Sequence, residues 1–379
     1  MDRELFIEND IERKWLSLFE DNREWIIESA RTADIKGELN HQLIDWLIDK
    51  GYNRLTLPEE HGGFGCNVKS AVLIHEALAT YDESTALSIG WHLGVVGEVF
   101  EFSIWSDEML AELATDIQAG GITNRVVSEA AMGSPTRGGR AATNAVRHQE
   151  GWLLNGVKTY VSMSHRLTHY LVGAYDEETG GLSFFYIPRE TTGCEIKETW
   201  DVIGMRATAS HDLILNDVFV PDRYRVEWSR EKQENPWLLL IPAVYLGIAQ
   251  GAADDATDFA LQHSPDSIEG VIADIPHIET KLGQIEFEMM TSRHFLYQAA
   301  QLHVEGKSNL LATYGVAKVQ VLNKGIAVTD LAMRIIGGQS LNTSGLIERR
   351  YRSIRAGLHN PPMEDAVMNQ LANKIKKSH

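Results

Sequence analysis

The chain has 379 residues, 44% of them hydrophobic, and 53 Asp+Glu against 35 Lys+Arg give a formal charge of −18. Such a surface repels nucleic acid and anionic membranes, so any anionic ligand needs a local basic lining. Two cysteines far apart, Cys66 and Cys194, suggest neither a disulfide framework nor a Cys-based metal site and fit a reducing compartment; no metal site is expected.

The acidic N-terminus MDRELFIEND lacks the apolar core of a signal peptide. No apolar run approaches the roughly 20 residues of a membrane span. The expectation is a soluble cytoplasmic protein, large enough for two or three domains.

Residues 1 to 121 predict a helical domain. Trp15, Leu18, Phe19, Trp25, Ile26 and Ile27 recur at helical spacing, as do Leu43, Trp46, Leu47 and Ile48. Leu57 to Gly65 is a Pro/Gly loop, followed by apolar helices from Val68 to Tyr81 and from Ala86 to Phe102. His92, inside the latter, reads as a packed core histidine.

From 122 to 228 the periodicity changes to short alternating runs: Trp152 to Leu154, Thr159 to Ser162, Tyr170 to Tyr175, Leu182 to Ile187, Asp212 to Leu215 and Val218 to Val220. Strands at this spacing predict a small antiparallel barrel or sandwich that ends at Pro221-Asp222. Within it, Val126-Val127-Ser128 predicts a β segment and Gly133-Ser134 a loop open to close backbone approach. Asn155-Gly156 predicts a type I′ hairpin turn, since both residues accept positive φ.

Residues 229 to 379 predict a helical bundle: Leu238 to Leu261, with small residues that permit close helix approach, Ile278 to Val304, Leu310 to Ile336, and Leu346 to Ala356. Gly337-Gly338 stops the third, and Asn360-Pro361-Pro362 precedes a short terminal helix. The class is therefore α+β in three domains: helical, β, helical.

Several motifs resemble the acyl-CoA dehydrogenase family, in order and over nearly the entire chain. Leu57 to Gly65 looks like its Pro-Glu-x-x-Gly-Gly-x-Gly loop, and Ser128-Glu129-Ala130-Ala131-Met132-Gly133-Ser134 its Thr-Glu-Pro-x-x-Gly-Ser motif. Asn155-Gly156-x-Lys158-x-Tyr160-Val161-Ser162 resembles Asn-Gly-x-Lys-x-Trp-Ile-Thr. Gly204-Met205-Arg206 with Asp217-Val218-x-Val220-Pro221, and Ile335-Ile336-Gly337-Gly338 with Glu348-Arg349 and Arg352, complete the set.

The resemblance implies a flavoprotein oxidoreductase of fatty-acid metabolism. It removes the α proton of an acyl-CoA thioester with a base while the β hydride passes to flavin N5. It implies FAD, an electron-acceptor flavoprotein and a homotetramer. Val127 and Ser128 would meet the flavin pyrimidine edge, Tyr160 and Ser162 the ring near N5, and Gly133 and Ser134 the pyrophosphate or the acyl carrier. Gly337 and Gly338, with Arg334, would meet an adenosine-side phosphate from a neighbouring subunit. Arg206 and Val220-Pro221 read as architectural, and Arg137 and Arg140 as solvated charges.

Two features depart from the family, the catalytic base and the pyrophosphate-clamping Arg. The family's usual catalytic Glu falls on Pro361, and the alternative position used by some relatives falls on Trp237. Glu364, His359 and Glu234 are the nearby candidates; His359 resembles the histidine of two-component flavin monooxygenases on this fold, which borrow reduced flavin from a reductase. The Arg that clamps the FAD pyrophosphate is also missing from Gln262-His263-Ser264-Pro265-Asp266. Arg334 or another group compensates, or the cofactor is FMN or a loosely held reduced flavin. A silent acyl or flavin binder is the third reading.

Overall fold

The computed structural model describes residues 2–130, 140–226, 228 and 234–377. Six helices open the chain: α1 (Asp10–Asp21), α2 (Arg23–Lys36), α3 (His41–Asp49), α4 (Val68–Tyr81), α5 (Glu83–Glu101) and α6 (Asp107–Gln118). Their starts follow capping chemistry. Asn9 and Glu12 form a reciprocal box at α1, and the side chains of Asn67, Asp82 and Ser106 accept the N3 amides of α4, α5 and α6.

Among the described residues eight strands follow: β1 (Thr123–Val126), β2 (Asn144–His148), β3 (Gly151–Val161), β4 (His169–Asp176), β5 (Gly181–Pro188), β6 (Cys194–Lys197), β7 (His211–Pro221) and β8 (Arg225–Val226). They pair in the order β6-β7-β3-β2-β4-β5-β8, with β1 beside β4. The sheet is mixed and open rather than wholly antiparallel, because β4 runs parallel to both β1 and β2. Two pairs of expected short strands merge into the long β3 and β7, and β8 continues the sheet past Pro221-Asp222.

Asn155-Gly156 is not the hairpin turn. The β2–β3 turn is Gln149-Glu150, closed by the His148–Gly151 pair, with Gln149 at φ 51°. Asn155-Gly156 lies in mid-strand, where β3 slips register against β7. The Asn155 side chain donates to Asp217 at 3.0 Å and accepts its backbone N–H at 2.9 Å. A Cβ on Gly156 would lie 2.5 Å from the Thr143 hydroxyl oxygen, so glycine is required by close packing across β2.

Five helices complete the chain: α7 (Leu240–Gln262), α8 (Pro276–Val304), α9 (Leu311–Ile336), α10 (Leu346–Ile354) and α11 (Glu364–Lys377). With the short 3-10 turn before it, α7 is long and apolar enough to cross a membrane, which corrects the sequence expectation, yet 94% of its apolar window is buried inside the fold. Helix α7 packs on α4 and α9 as the central rod. Glu76 of α4, fully buried, accepts from Arg293 of α8 at 2.8 Å, from Arg3 at 3.0 Å and from the Tyr297 hydroxyl. Burial opposes ionisation of Glu76, but the two guanidinium groups hold its pKa down at about 2.

His92 is a core residue. Its Nδ1 accepts from the Thr123 N–H at 3.1 Å, so its Nε2–H donates to the Asn53 carbonyl at 2.8 Å. Burial pushes its pKa down to about 4.

A candidate flavin site at the end of strand β3

Strand β3 ends in a concentration of left-handed backbone. Tyr160, Met163, Met205 and Ala209, none of them glycine, have φ of 60°, 57°, 55° and 43°. Each such residue costs on the order of 1–3 kcal/mol, and strain of this kind collects where a backbone is shaped for a ligand. Tyr160 sits in the irregular stretch between Lys158 and Val161, where the pairing with β7 shifts, and the residue is 66% exposed.

The corner is held from several sides. The Met163 N–H donates to the Thr208 carbonyl at 2.9 Å, and Met205 N–H to Ser353 Oγ of α10 at 3.2 Å. Ser162 Oγ lies 2.9 Å from Ser210 Oγ, which lies 2.9 Å from Thr208 Oγ1. Arg206 donates to the Asp34 carbonyl at 2.8 Å, and Arg352 to the Asp34 carboxylate at 2.7 Å, so α2, α10 and the middle domain meet here. Arg206 is thus placed as an architectural group.

Val127 and Ser128 run beside this corner, tied by the Thr159 N–H donating to the Ser128 carbonyl at 2.9 Å. The next residue, Glu129, is buried and receives Lys158 Nζ at 2.6 Å together with the N–H groups of Ala142 at 2.6 Å and Thr143 at 3.0 Å. Burial works against its ionisation, but the Lys158 hydrogen bond and the two backbone donors hold its carboxyl below the usual range. Gly133, Ser134 and Arg137 lie outside the described residues. Arg140 places its guanidinium 3.9 Å from the Tyr175 ring centroid and within 4.0 Å of Glu177.

Arg334, Gly337 and Gly338 are exposed at the end of α9, where Gly337 has φ 68° and a Cβ on either glycine would meet nothing within 4 Å. His359 is exposed on the connector between α10 and α11, and Glu364 is exposed as the first residue of α11. Glu364 accepts from Asn323 at 3.4 Å, and the connector is pinned to α7 by Asn360 donating to the buried Tyr245 hydroxyl at 2.6 Å. Glu234 instead accepts the Leu311 N–H at the start of α9, at 3.3 Å. Trp237 donates through Nε1 to Glu101 at 2.6 Å and lies on Gly97, whose added Cβ would come 2.3 Å from the indole. Trp237, in the 3-10 turn before α7, thus packs onto α5.

The sequence reading missed Trp200 and His211. Trp200 meets Tyr160 edge to face, ring centroids 6.1 Å apart at 87°, and its indole donates to the Met205 carbonyl at 3.2 Å. A lone tryptophan in the otherwise polar run Lys197 to Asp201 was the available signal. Together the corner offers an exposed aromatic face, a backbone edge at Val127–Ser128 and a buried Thr159 hydroxyl with no protein partner, which fits a planar, polar-edged flavin ring.

Comparison with known proteins gives the family. Models of the acyl-CoA dehydrogenase N-terminal, middle and C-terminal domains match residues 22–103, 125–218 and 239–360. The chain is 43% identical to the Putative acyl-CoA dehydrogenase YdbM of Bacillus subtilis, covering 99% of this chain and 100% of that protein. It is 27% identical to the amino sugar nitrososynthase DnmZ of Streptomyces peucetius, covering 91% and 88%. The solved butyryl-CoA dehydrogenase of Megasphaera elsdenii shares the fold, with TM-score 0.87 at 21% identity over 97% of this chain and 99% of that one. The chain belongs to the acyl-CoA dehydrogenase family of flavoprotein oxidoreductases, enzymes that act on CH–CH groups.

Proposed function

We propose that the protein dehydrogenates an acyl-CoA thioester between Cα and Cβ, holding FAD against the Tyr160 corner. The observation that carries this reading is the corner itself: an exposed aromatic ring on strained backbone, beside the Val127–Ser128 edge, in the chain position of the family's flavin-facing motif. The bound flavin supplies the hydride acceptor. Tyr160 gives the ring a π-face, Val127 and Ser128 offer backbone and hydroxyl groups to its polar edge, and the Glu129–Lys158 pair fixes that edge against β3. Ser162 stands behind the ring with its hydroxyl engaged by Ser210. The family motif assigns Gly133 and Ser134, which lie outside the described residues, to the pyrophosphate or the acyl carrier, and Arg334, Gly337 and Gly338 serve an adenosine-side phosphate across a subunit boundary in a homotetramer.

Proton removal is assigned to Glu364, at the start of α11, or to His359 on the connector before it, because Pro361 has no proton-transfer group and Trp237 is committed to Glu101. Electrons leave to an acceptor flavoprotein. Cys66 and Cys194 are free thiols, which supports a cytoplasmic setting. The exposed His359 beside a proline at the base position supports a second reading, a two-component monooxygenase served by a flavin reductase. Anaerobic titration of the purified protein with a panel of acyl-CoAs separates them. Bleaching of a tightly bound yellow flavin supports dehydrogenation. A colourless protein that consumes oxygen only with supplied reduced flavin supports the second. A flavin inert to both leaves a silent binder.

A further inference from the structure

His211 opens β7 and pairs with Val161, the residue after Tyr160. Its Nδ1 accepts two backbone N–H groups at once, Thr199 at 3.0 Å and Trp200 at 3.1 Å. These two bonds fix the segment after β6 from which the Trp200 indole reaches the Tyr160 ring. The indole is anchored at its other end by the Met205 carbonyl, so its edge stays against Tyr160 only while the Thr199–Trp200 backbone stays in place.

We propose that His211 is a positioning residue for the flavin: its Nδ1 lone pair holds Trp200, and Trp200 holds the exposed Tyr160 ring in the pose that meets the cofactor. The proposal rests on the reading that Tyr160 faces flavin.

The chemistry has a defined sense. A neutral imidazole protonated at Nε2 can accept both amides at Nδ1, whereas an imidazolium would turn an N–H toward two N–H donors. His165 faces His211 with ring centroids 5.2 Å apart, and Glu198 lies 3.4 Å from His165 Nε2; Asp212 follows along β7. Burial and the His165 charge lower the His211 pKa, while Glu198 and Asp212 oppose them. The neutral, accepting form is therefore the one present at neutral pH. As pH falls, protonation breaks both bonds and frees Trp200, so flavin affinity decreases on the acid side.

The test is flavin binding, read by fluorescence titration and by the visible spectrum of bound FAD or FMN, between about pH 5 and 8. Wild type should lose affinity by about fivefold or more toward the acid end. His211→Ala should bind more weakly at the alkaline end and shift the bound-flavin spectrum. His211→Asn places Oδ1 where Nδ1 stood, accepts both amides and does not titrate. It should restore binding and abolish the acid-side fall. An acid limb that persists in His211→Asn, or a His211→Ala protein with wild-type affinity and spectrum, overturns the proposal. Tyr160→Ala separates it from the reading beneath it. If Tyr160→Ala leaves affinity and spectrum unchanged, the cradle is wrong and the proposal falls with it. If Tyr160→Ala shifts both while His211→Ala is silent, His211 alone is wrong.

Discussion

Lys158 Nζ donates to Glu129 across 2.6 Å, and neither side chain reaches solvent. The pair locks Glu129, the residue after Ser128, to the strand that carries Tyr160. Removing one partner of a buried ion pair leaves an uncompensated charge and costs about 3–5 kcal/mol. Lys158→Met should lower unfolding free energy in urea by that amount and weaken flavin binding in the folded fraction. A loss below about 1 kcal/mol would mean that the pair behaves as a solvated one.

His92 and His75 are both buried, with pKa values pushed down to about 4 and about 3 by burial. Their folded-state pKa lies below the unfolded value near 6.5, so the unfolded chain binds more protons in between. Their contribution is fully present above that value and is lost as pH falls toward 4, by about 3 kcal/mol for each. Denaturation at pH 7.5 and pH 5 should show the loss. His92→Phe should start less stable but lose less between the two pH values.

Gly97 has no room for a methyl group beneath Trp237. Gly97→Ala should destabilise by about 1–3 kcal/mol through overpacking. Combining it with Trp237→Leu should recover part of that loss, because the clash is with the indole. Strictly additive single and double variants would show that the strain lies elsewhere.

His359→Ala and Glu364→Gln locate the proton transfer. The variant that removes the base should lower kcat by about 100-fold or more, with flavin content retained. If neither lowers turnover, both assignments fail. A loss confined to oxygen-dependent turnover in His359→Ala would favour the monooxygenase reading.

Helix α8 presents Phe287, Met290 and Phe295 to the outside, and Phe287 is 64% exposed. An apolar face of this kind supports burial against another subunit. Light scattering should return four copies, and Phe287→Glu should reduce that number. A monomeric wild type would sink the homotetramer.

Much of the architecture was legible in the periodicities. The buried faces of α4, α5 and α7 and the long α8 and α9 stand where apolar spacing put them. Asn155-Gly156 was misread because a turn-forming dipeptide was outweighed by pairing on both sides, β2 on one edge and β7 on the other. The parallel pairing of β4 with β1 and β2 leaves no hairpin signal, so antiparallel order was inferred where the sheet is mixed. At the β3 corner, the motif singles out Tyr160. Trp200 and His211 carry no such signal, because they meet it only through contacts across 40 and 11 residues, Tyr160 to Trp200 and Trp200 to His211.

The burial of α7 also bears on how the chain is made. During synthesis the helix leaves the ribosome after its α4 partner but before α8 and α9, so one flank stays uncovered while about 75 further residues are added. During that interval the apolar flank is open to self-association. A fragment beginning near residue 229 would instead leave the opposite flank bare for good, because the α4 surface that covers α7 would never arrive. Soluble expression should therefore depend on the intact chain and on chaperone supply during the translation of α8 and α9.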